Sequence, residues 1–252
     1  MKLLAFASRN TKEILRDPLS YIFCLGFPVV MLLVFRIVNA ATAYPVTIFT
    51  LPYLTPGITV FSFTFVMLYM TLLVSKDRAS SFLTRLYCAP MTQADFVLGY
   101  LLPGMVIAIG QAMICLLASW LLSVAQNEPI SLAQGVLMVV AELPAMLLFV
   151  SLGILFGSLL SEKSAPGIAS IVISASGFVS GAWMPVADMG SFETACRVLP
   201  FYPAVCLGRT ALQGSAAGFH ATGVNLLTIC LYAVVILAAA ICAFRHTLRH
   251  SA

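Results

Sequence analysis

Apolar residues in this chain come in long runs rather than in alternation, and the runs recur at six places: near 20–38, 54–74, 97–124, 132–160, 166–183 and 224–244. About 20 apolar residues in a helix cover a ~30 Å hydrocarbon core. Inside lipid every backbone polar group needs a partner within the protein, which restricts open-chain spans to helices. The pattern therefore predicts an all-α polytopic integral membrane protein with six transmembrane helices. The third and fourth runs are long enough to tilt or to project beyond the core. Pro28, Pro103 and Pro144 fall inside runs and predict kinks there. Residues 184–223 are semi-polar and interrupted by Pro185, Pro200, Pro203, Gly208 and Gly214, which predicts a short re-entrant or interfacial hairpin.

Two other segments carry a helical period without being apolar all round. With successive residues turned by about 100°, Leu3, Leu4, Ala7, Thr11, Ile14 and Leu15 share one arc, and Lys2, Arg9, Lys12, Glu13, Arg16 and Asp17 share the other. That is the pattern of an amphipathic helix lying in the membrane interface over residues 1–18, ended by Pro18. In 77–89, Ala79, Phe82, Leu83, Leu86 and Tyr87 form one face, and Asp77, Ser81, Thr84 and Arg85 the other. Pro90 stops this helix, and Thr92 with Asp95 supplies cap residues for the next span. Such a helix is either a rest on the membrane surface or a handle for a partner.

Composition agrees with the spans. Of 252 residues, 61% are hydrophobic and 9% charged, and the mean hydropathy is +1.04. Soluble domains carry about 25% charged residues, so this surface faces lipid, and no polar stretch is long enough for a separate soluble domain. The chain is one transmembrane domain over 1–252. Lys2, Arg9, Lys12, Arg16, Lys76, Arg78, Arg85, Lys163, Arg245 and Arg249 fall on one side of a six-span topology, against Arg197 and Arg209 on the other. The excess of basic residues predicts both termini and the 75–95 loop to be cytoplasmic, and the 184–223 hairpin to be extracytoplasmic.

Ionisable or amide groups within spans are expensive and select themselves as candidates. Glu142, two residues before Pro144, either lines a pathway or pairs across helices. Gln111 is expected in an interhelical hydrogen bond, and Arg36, at the outer edge of the first span, is expected to snorkel. Cys196 and Cys206 share the outer side, where a disulfide is open to them. His220, His246 and His250 form no metal-ligand grouping, so no metal is expected. The chain contains no Gly-Lys pair and hence no phosphate-binding loop for ATP. Nothing assembles into a catalytic constellation, and no nucleic-acid partner is indicated.

Five motifs, in order and spacing, resemble the membrane subunits of type-2 ABC exporters, which include drug, antibiotic and polysaccharide export permeases. They are Arg16-Asp17-Pro18 with Phe27-Pro28; Tyr53 to Ile58; Asp77 to Pro90 followed by Met91-Thr92 and Asp95 to Gly99; Ser180-Gly181-Ala182-Trp183-Met184-Pro185; and Leu199 to Arg209. Ala79 stands where the family often has a second acidic residue, Ser81-Phe82 where it has Gly-Thr, and Tyr100 where a basic residue is usual. The resemblance implies an efflux permease, of the kind behind antibiotic resistance, in a bacterial inner membrane. It also implies a second permease copy or related chain, making a dimer, and a separate ABC ATPase that binds ATP and Mg. Asp77, Arg78, Phe82, Leu83, Arg85, Leu86, Tyr87 and Pro90 would form the cytoplasmic coupling helix that meets this ATPase. Ser180, Gly181, Trp183 and Pro185 would form the extracytoplasmic motif. The implied cargo is amphipathic, drug-like, lipid-linked or polysaccharide. A secondary transporter, which would show paired broken helices in repeated halves and more buried carboxylates, and a structural membrane subunit are the alternatives.

Overall fold

The computed structural model describes residues 2–18, 21–42, 46–80, 92–126, 130–187, 189–214 and 219–250, and all its regular structure is helical. Helix α1 is Lys2–Arg16. A π-helical turn, Tyr21–Gly26, leads into α2, Phe27–Ala41. The turn has a local cause: Pro28 offers no N–H, and its ring crowds the carbonyl of Cys24, so the preceding turn widens. Helix α3 is Leu51–Ala79 and α4 is Gln93–Gln126. Asp95 and Thr92 open α4 as a reciprocal cap: Asp95 Oδ2 accepts from the Thr92 N–H (2.8 Å) and hydroxyl (2.7 Å), and the Asp95 N–H donates to Thr92 Oγ1 (3.3 Å). Then come α5, Leu132–Ala141, and α6, Leu143–Leu159. Helix α7 is Ala165–Val179, α8 is Ser191–Val198, α9 is Phe201–Gln213 and α10 is Phe219–His250.

Four stretches are long and apolar enough to cross a membrane: Tyr21–Ala41, Leu51–Ala79, Ala94–Ala125 and Thr222–Phe244. The pair α5–α6, bent by 42° at Glu142, makes a fifth if it is one span. Pro144, the second residue of α6, marks the break. The sixth expected crossing, 166–183, is shorter than the run suggested: α7 has 15 residues and ends at Val179, so it rises about 22 Å. Residues 184–223 contain α8 and α9, two short helices joined at Leu199–Pro200.

Helix α3 is the hub. Its most apolar stretch is 83% buried, against 17–33% for the other three long helices. It packs along α6, α7, α4 and α9, while α10 lies along α6. Two glycines set the α3–α6 distance. A Cβ on Gly153 would stand 2.6 Å from the Met67 carbonyl oxygen, and one on Gly157 would stand 2.6 Å from Val74 Cβ. Close approach through small residues is how helices gain van der Waals contact in lipid, where no hydrophobic drive brings them together. Gly153→Val is therefore expected to push α3 from α6 and to destabilise the fold by about 1–3 kcal/mol, the usual range for overpacking. Thermal unfolding in detergent measures it. Gly167→Val on α7, where nothing lies within 4 Å, is the control and should change little.

The amphipathic arc of α1 is used differently from the expectation. Leu4 and Leu15 are 65% and 57% exposed, whereas Phe6, Ala7, Asn10 and Ile14 are buried. Phe6 meets Phe96 and Tyr100 edge-on (centroids 5.9 and 5.0 Å apart), and Asn10 Nδ2 donates to the Gly99 carbonyl at 3.1 Å. Helix α1 thus docks on the start of α4.

Candidate functional site

The last turn of α3 holds the first two residues of the expected coupling segment. Asp77 is 3% exposed. Its carboxylate accepts two bonds from the Arg9 guanidinium (2.7 and 3.1 Å) and one from the Tyr100 hydroxyl (2.7 Å). Arg9 also pairs with Glu13, one turn along α1, at 2.7 Å. Burial pulls the Arg9 guanidinium down, but the bonds to Asp77 outweigh it and hold its pKa above the ordinary value. Next to Asp77, Arg78 turns to the other side. Its guanidinium donates to the carbonyls of Gly157, Ser158 and Leu160, the open C-terminal acceptors of α6. The end of α3 is therefore tied to α1, α4 and α6 at once. Asp77, Arg78 and Ala79 continue α3 rather than starting a separate helix. The rest of the expected coupling face (Phe82, Leu83, Arg85, Leu86, Tyr87 and Pro90) lies outside the described residues.

At the other end of α3 a second polar node forms around Arg209 of α9. Its Nε donates to the Tyr53 carbonyl (3.1 Å) and its Nη2 to the Gly181 carbonyl (2.7 Å). The guanidinium lies 5.7 Å from the centre of the Tyr53 ring. Gln213, one turn on, donates to the Pro52 carbonyl at 3.4 Å. That carbonyl is spare because Pro56 has no N–H to return to it. Gly57 permits the contact below: a Cβ there would stand 2.7 Å from the Ala182 carbonyl oxygen. Ser180 is buried and its hydroxyl accepts from the Ala182 N–H (3.3 Å), while Gly181 takes φ +69°, which favours glycine. Trp183 wedges between Phe35, stacked at 5.8 Å, and Phe61, edge-on at 4.4 Å. Pro185 is exposed beyond it. Three segments far apart in sequence, 52–57, 180–183 and 209–213, therefore meet here.

The candidates inside the spans need correction. Glu142 is fully buried at the α5–α6 break, and neither carboxylate oxygen has a hydrogen-bond partner among the described residues. A Cβ on Gly208 would collide with this carboxylate, and one from the same residue would come within 2.9 Å of Pro56 Cβ, so Glu142 is lodged between α9 and α3. Gln111 is also fully buried with both amide atoms unpartnered, so the expected interhelical bond is not formed among the described residues. The α3–α4 contact instead uses Thr55, bonded to Ser119 at 2.8 Å. Arg36 does not snorkel. It is buried, and its Nη1 donates to the Phe49 carbonyl at 3.3 Å, which ties α2 to the segment ahead of α3. Cys196 and Cys206 are free thiols.

Sequence patterns missed the partners of these residues. Arg9 belonged to a charged arc and Tyr100 to a departure from the usual basic residue, yet both serve Asp77. The available signal was a carboxylate at the end of a nearly unbroken apolar helix, which calls for a cation or hydroxyl nearby.

A family model described as ABC-2 type transporter matches residues 1–212. The chain belongs to this family. The match covers α1 to α8 and α9 as far as Leu212, and both polar nodes lie within it except for Gln213. No curated protein matches the chain. As an ABC-2 permease it is a membrane-spanning transport subunit without an ATPase of its own, and the family implies an ABC ATPase as partner.

Proposed function

We propose that this ABC-2 permease is the membrane half of an ATP-driven exporter for an amphipathic or lipid-like substrate. Two copies, or this chain and a related one, enclose the pathway. The chain crosses a bacterial inner membrane six times with both termini cytoplasmic, and residues 77–90 receive the ATPase stroke. One observation carries the coupling assignment: Asp77 and Arg78, where that segment begins, are bonded to α1, α4 and α6. A displacement of residues 81–90 then reaches three helices through short charge-assisted bonds rather than being lost in a loose loop. The basic bias of Lys76, Arg78, Arg85 and the N-terminal segment supports the cytoplasmic side. Ser170, Ser174 and Gly167, exposed on α7, supply a small-residue face for a second copy.

Phe82, Leu83, Leu86 and Tyr87 form the apolar face that fills a cleft on the ATPase, with Arg85 at the rim. Central apolar anchors commonly cost about 2 kcal/mol or more when lost, while rim charges act mainly on association rate. Leu86→Asp is expected to detach or uncouple the ATPase while the permease stays inserted, and Arg85→Ala to do less. Co-purification with the ATPase and transport into vesicles measure this. A Leu86→Asp complex that assembles and transports as wild type would refute the coupling role.

A further inference from the structure

Glu142 and Arg209 miss each other by one residue. The carboxylate at the α5–α6 break is fully buried, and neither of its oxygens has a partner among the described residues. Such a group is costly to bury, and local conflicts of this kind collect where a structure changes state or acts. A Cβ on Gly208 would collide with Glu142 Oε1, so that oxygen lies against the Gly208 backbone. The next residue along α9 is Arg209. Consecutive Cα atoms are about 3.8 Å apart, which brings the carboxylate within the length of an extended arginine side chain. Arg209 is turned away from it. Its guanidinium is shared between two backbone carbonyls, those of Tyr53 (3.1 Å) and Gly181 (2.7 Å), and faces the Tyr53 ring. A carboxylate takes both prongs of the arginine fork at once, which two separate carbonyls do not. The strongest partner that each group has within reach is therefore unused. Packing holds the present choice: Gly57 lets the 180–183 turn lie on α3, where a Cβ would stand 2.7 Å from the Ala182 carbonyl oxygen.

We propose that Arg209 is a two-position latch: on Tyr53 and Gly181 it clamps the 180–183 turn to the start of α3, and swung onto Glu142 it releases that turn. The swing changes the torsions of one side chain and leaves α9 a helix. It trades two carbonyl acceptors for a buried ion pair, and elements with two discrete arrangements are what switching proteins bias. The segment read above as meeting the ATPase begins at the other end of α3. A shift of α3 would carry Tyr53 away from Arg209 and favour the second position. The place of the latch in a transport cycle rests on that reading, whereas the exchange between the two positions does not.

The first test needs no ATPase. Gly57→Ala drives a methyl group into the Ala182 backbone, displaces the turn and takes the Gly181 carbonyl from Arg209. Thermal unfolding of the full chain in detergent is then followed for Glu142→Gln and Arg209→Gln, singly and together, with and without Gly57→Ala. In the otherwise native chain Glu142→Gln should leave the unfolding temperature unchanged or raise it, and the two effects should add, because the groups share no bond. In Gly57→Ala the same Glu142→Gln should lower it by several degrees, and Arg209→Gln should abolish that further drop. Equal shifts from Glu142→Gln in the two backgrounds, or additivity in both, would overturn the latch. A second measurement decides the matter if Gly57→Ala does not fold. With the ATPase bound, in vesicles, Ala182→Cys should react faster with a membrane-impermeant maleimide once the complex is trapped with nucleotide, and Glu142→Gln should suppress that gain. ATP-driven transport with no gain, or a gain that survives Glu142→Gln, would refute the latch and leave the exporter reading intact. Absence of ATP-driven transport by the wild-type complex would count against the exporter reading, while the unfolding comparison still decides the latch.

Discussion

Asp77→Ala is expected to unlock the end of α3 and to abolish energy coupling while leaving the permease in the membrane. Removing one partner of a buried ion pair commonly costs about 3–5 kcal/mol, because the other charge is stranded. The Arg9 side chain is 36% exposed and water softens its loss, so the expected cost here is about 2–3 kcal/mol, read as a drop in unfolding temperature in detergent. Tyr100→Phe removes one hydroxyl donor to the charged carboxylate and should cost about 1.5–3 kcal/mol. Arg9→Ala combined with Asp77→Ala should be milder than the two losses added, since the pair acts as a unit. Transport should fall in the order of the damage to the node, with ATP turnover by the partner no longer stimulated by substrate. Full coupling in Asp77→Ala would show that the stroke enters the bundle elsewhere.

Arg209→Ala should open the opposite end of α3. The substitution leaves the exposed Tyr53 carbonyl and the part-buried Gly181 carbonyl without their donor, at an expected cost of about 1–3 kcal/mol. Arg209→Lys keeps the charge but not the fork, and should rescue only in part. A readout specific to the node is available. Ala182 is buried against Gly57, so a cysteine placed at 182 should resist a membrane-impermeant maleimide in the native background and react quickly in Arg209→Ala. Unchanged labelling would mean that the 180–183 turn is held by packing of Trp183 alone.

The helices were legible in the apolar runs because a ~30 Å slab of hydrocarbon imposes their length and leaves the backbone no other choice. What those runs do not say is which face points inward. In water an apolar arc marks the core, but in lipid Leu4 and Leu15 are stable on the outside, and Asn10 goes inside to reach the Gly99 carbonyl. Glu142 was recognisable as a break beside Pro144, whereas Arg36 looked free to snorkel because its acceptor, the Phe49 carbonyl, is a backbone atom that carries no residue signature. The segment read as a coupling helix was recognised by its motif, whereas the partners of its Asp77 lie 68 residues before it and 23 after it, separations at which no helical period operates. Likewise the 180–185 motif was visible as a motif, but its meeting with Arg209 depends on the packing of α9.

The break at Glu142 also bears on how the chain enters the membrane during synthesis. Helix α5 has ten residues, and a rise of about 15 Å takes it only halfway across the core. Its Leu132, Val136, Leu137, Val139 and Val140 each favour insertion by about 0.3–0.6 kcal/mol, while a charged group such as the Glu142 carboxylate opposes it by about 2.5–3.5 kcal/mol. The two nearly cancel, so α5 has no reason to leave the translocation channel when it emerges. The balance tips only when Leu147, Leu148, Phe149 and Val150 of α6 follow. Taken as one bent span, α5 and α6 are expected to enter lipid as a unit, and the contact of Glu142 with Gly208 must wait until α9 has been made.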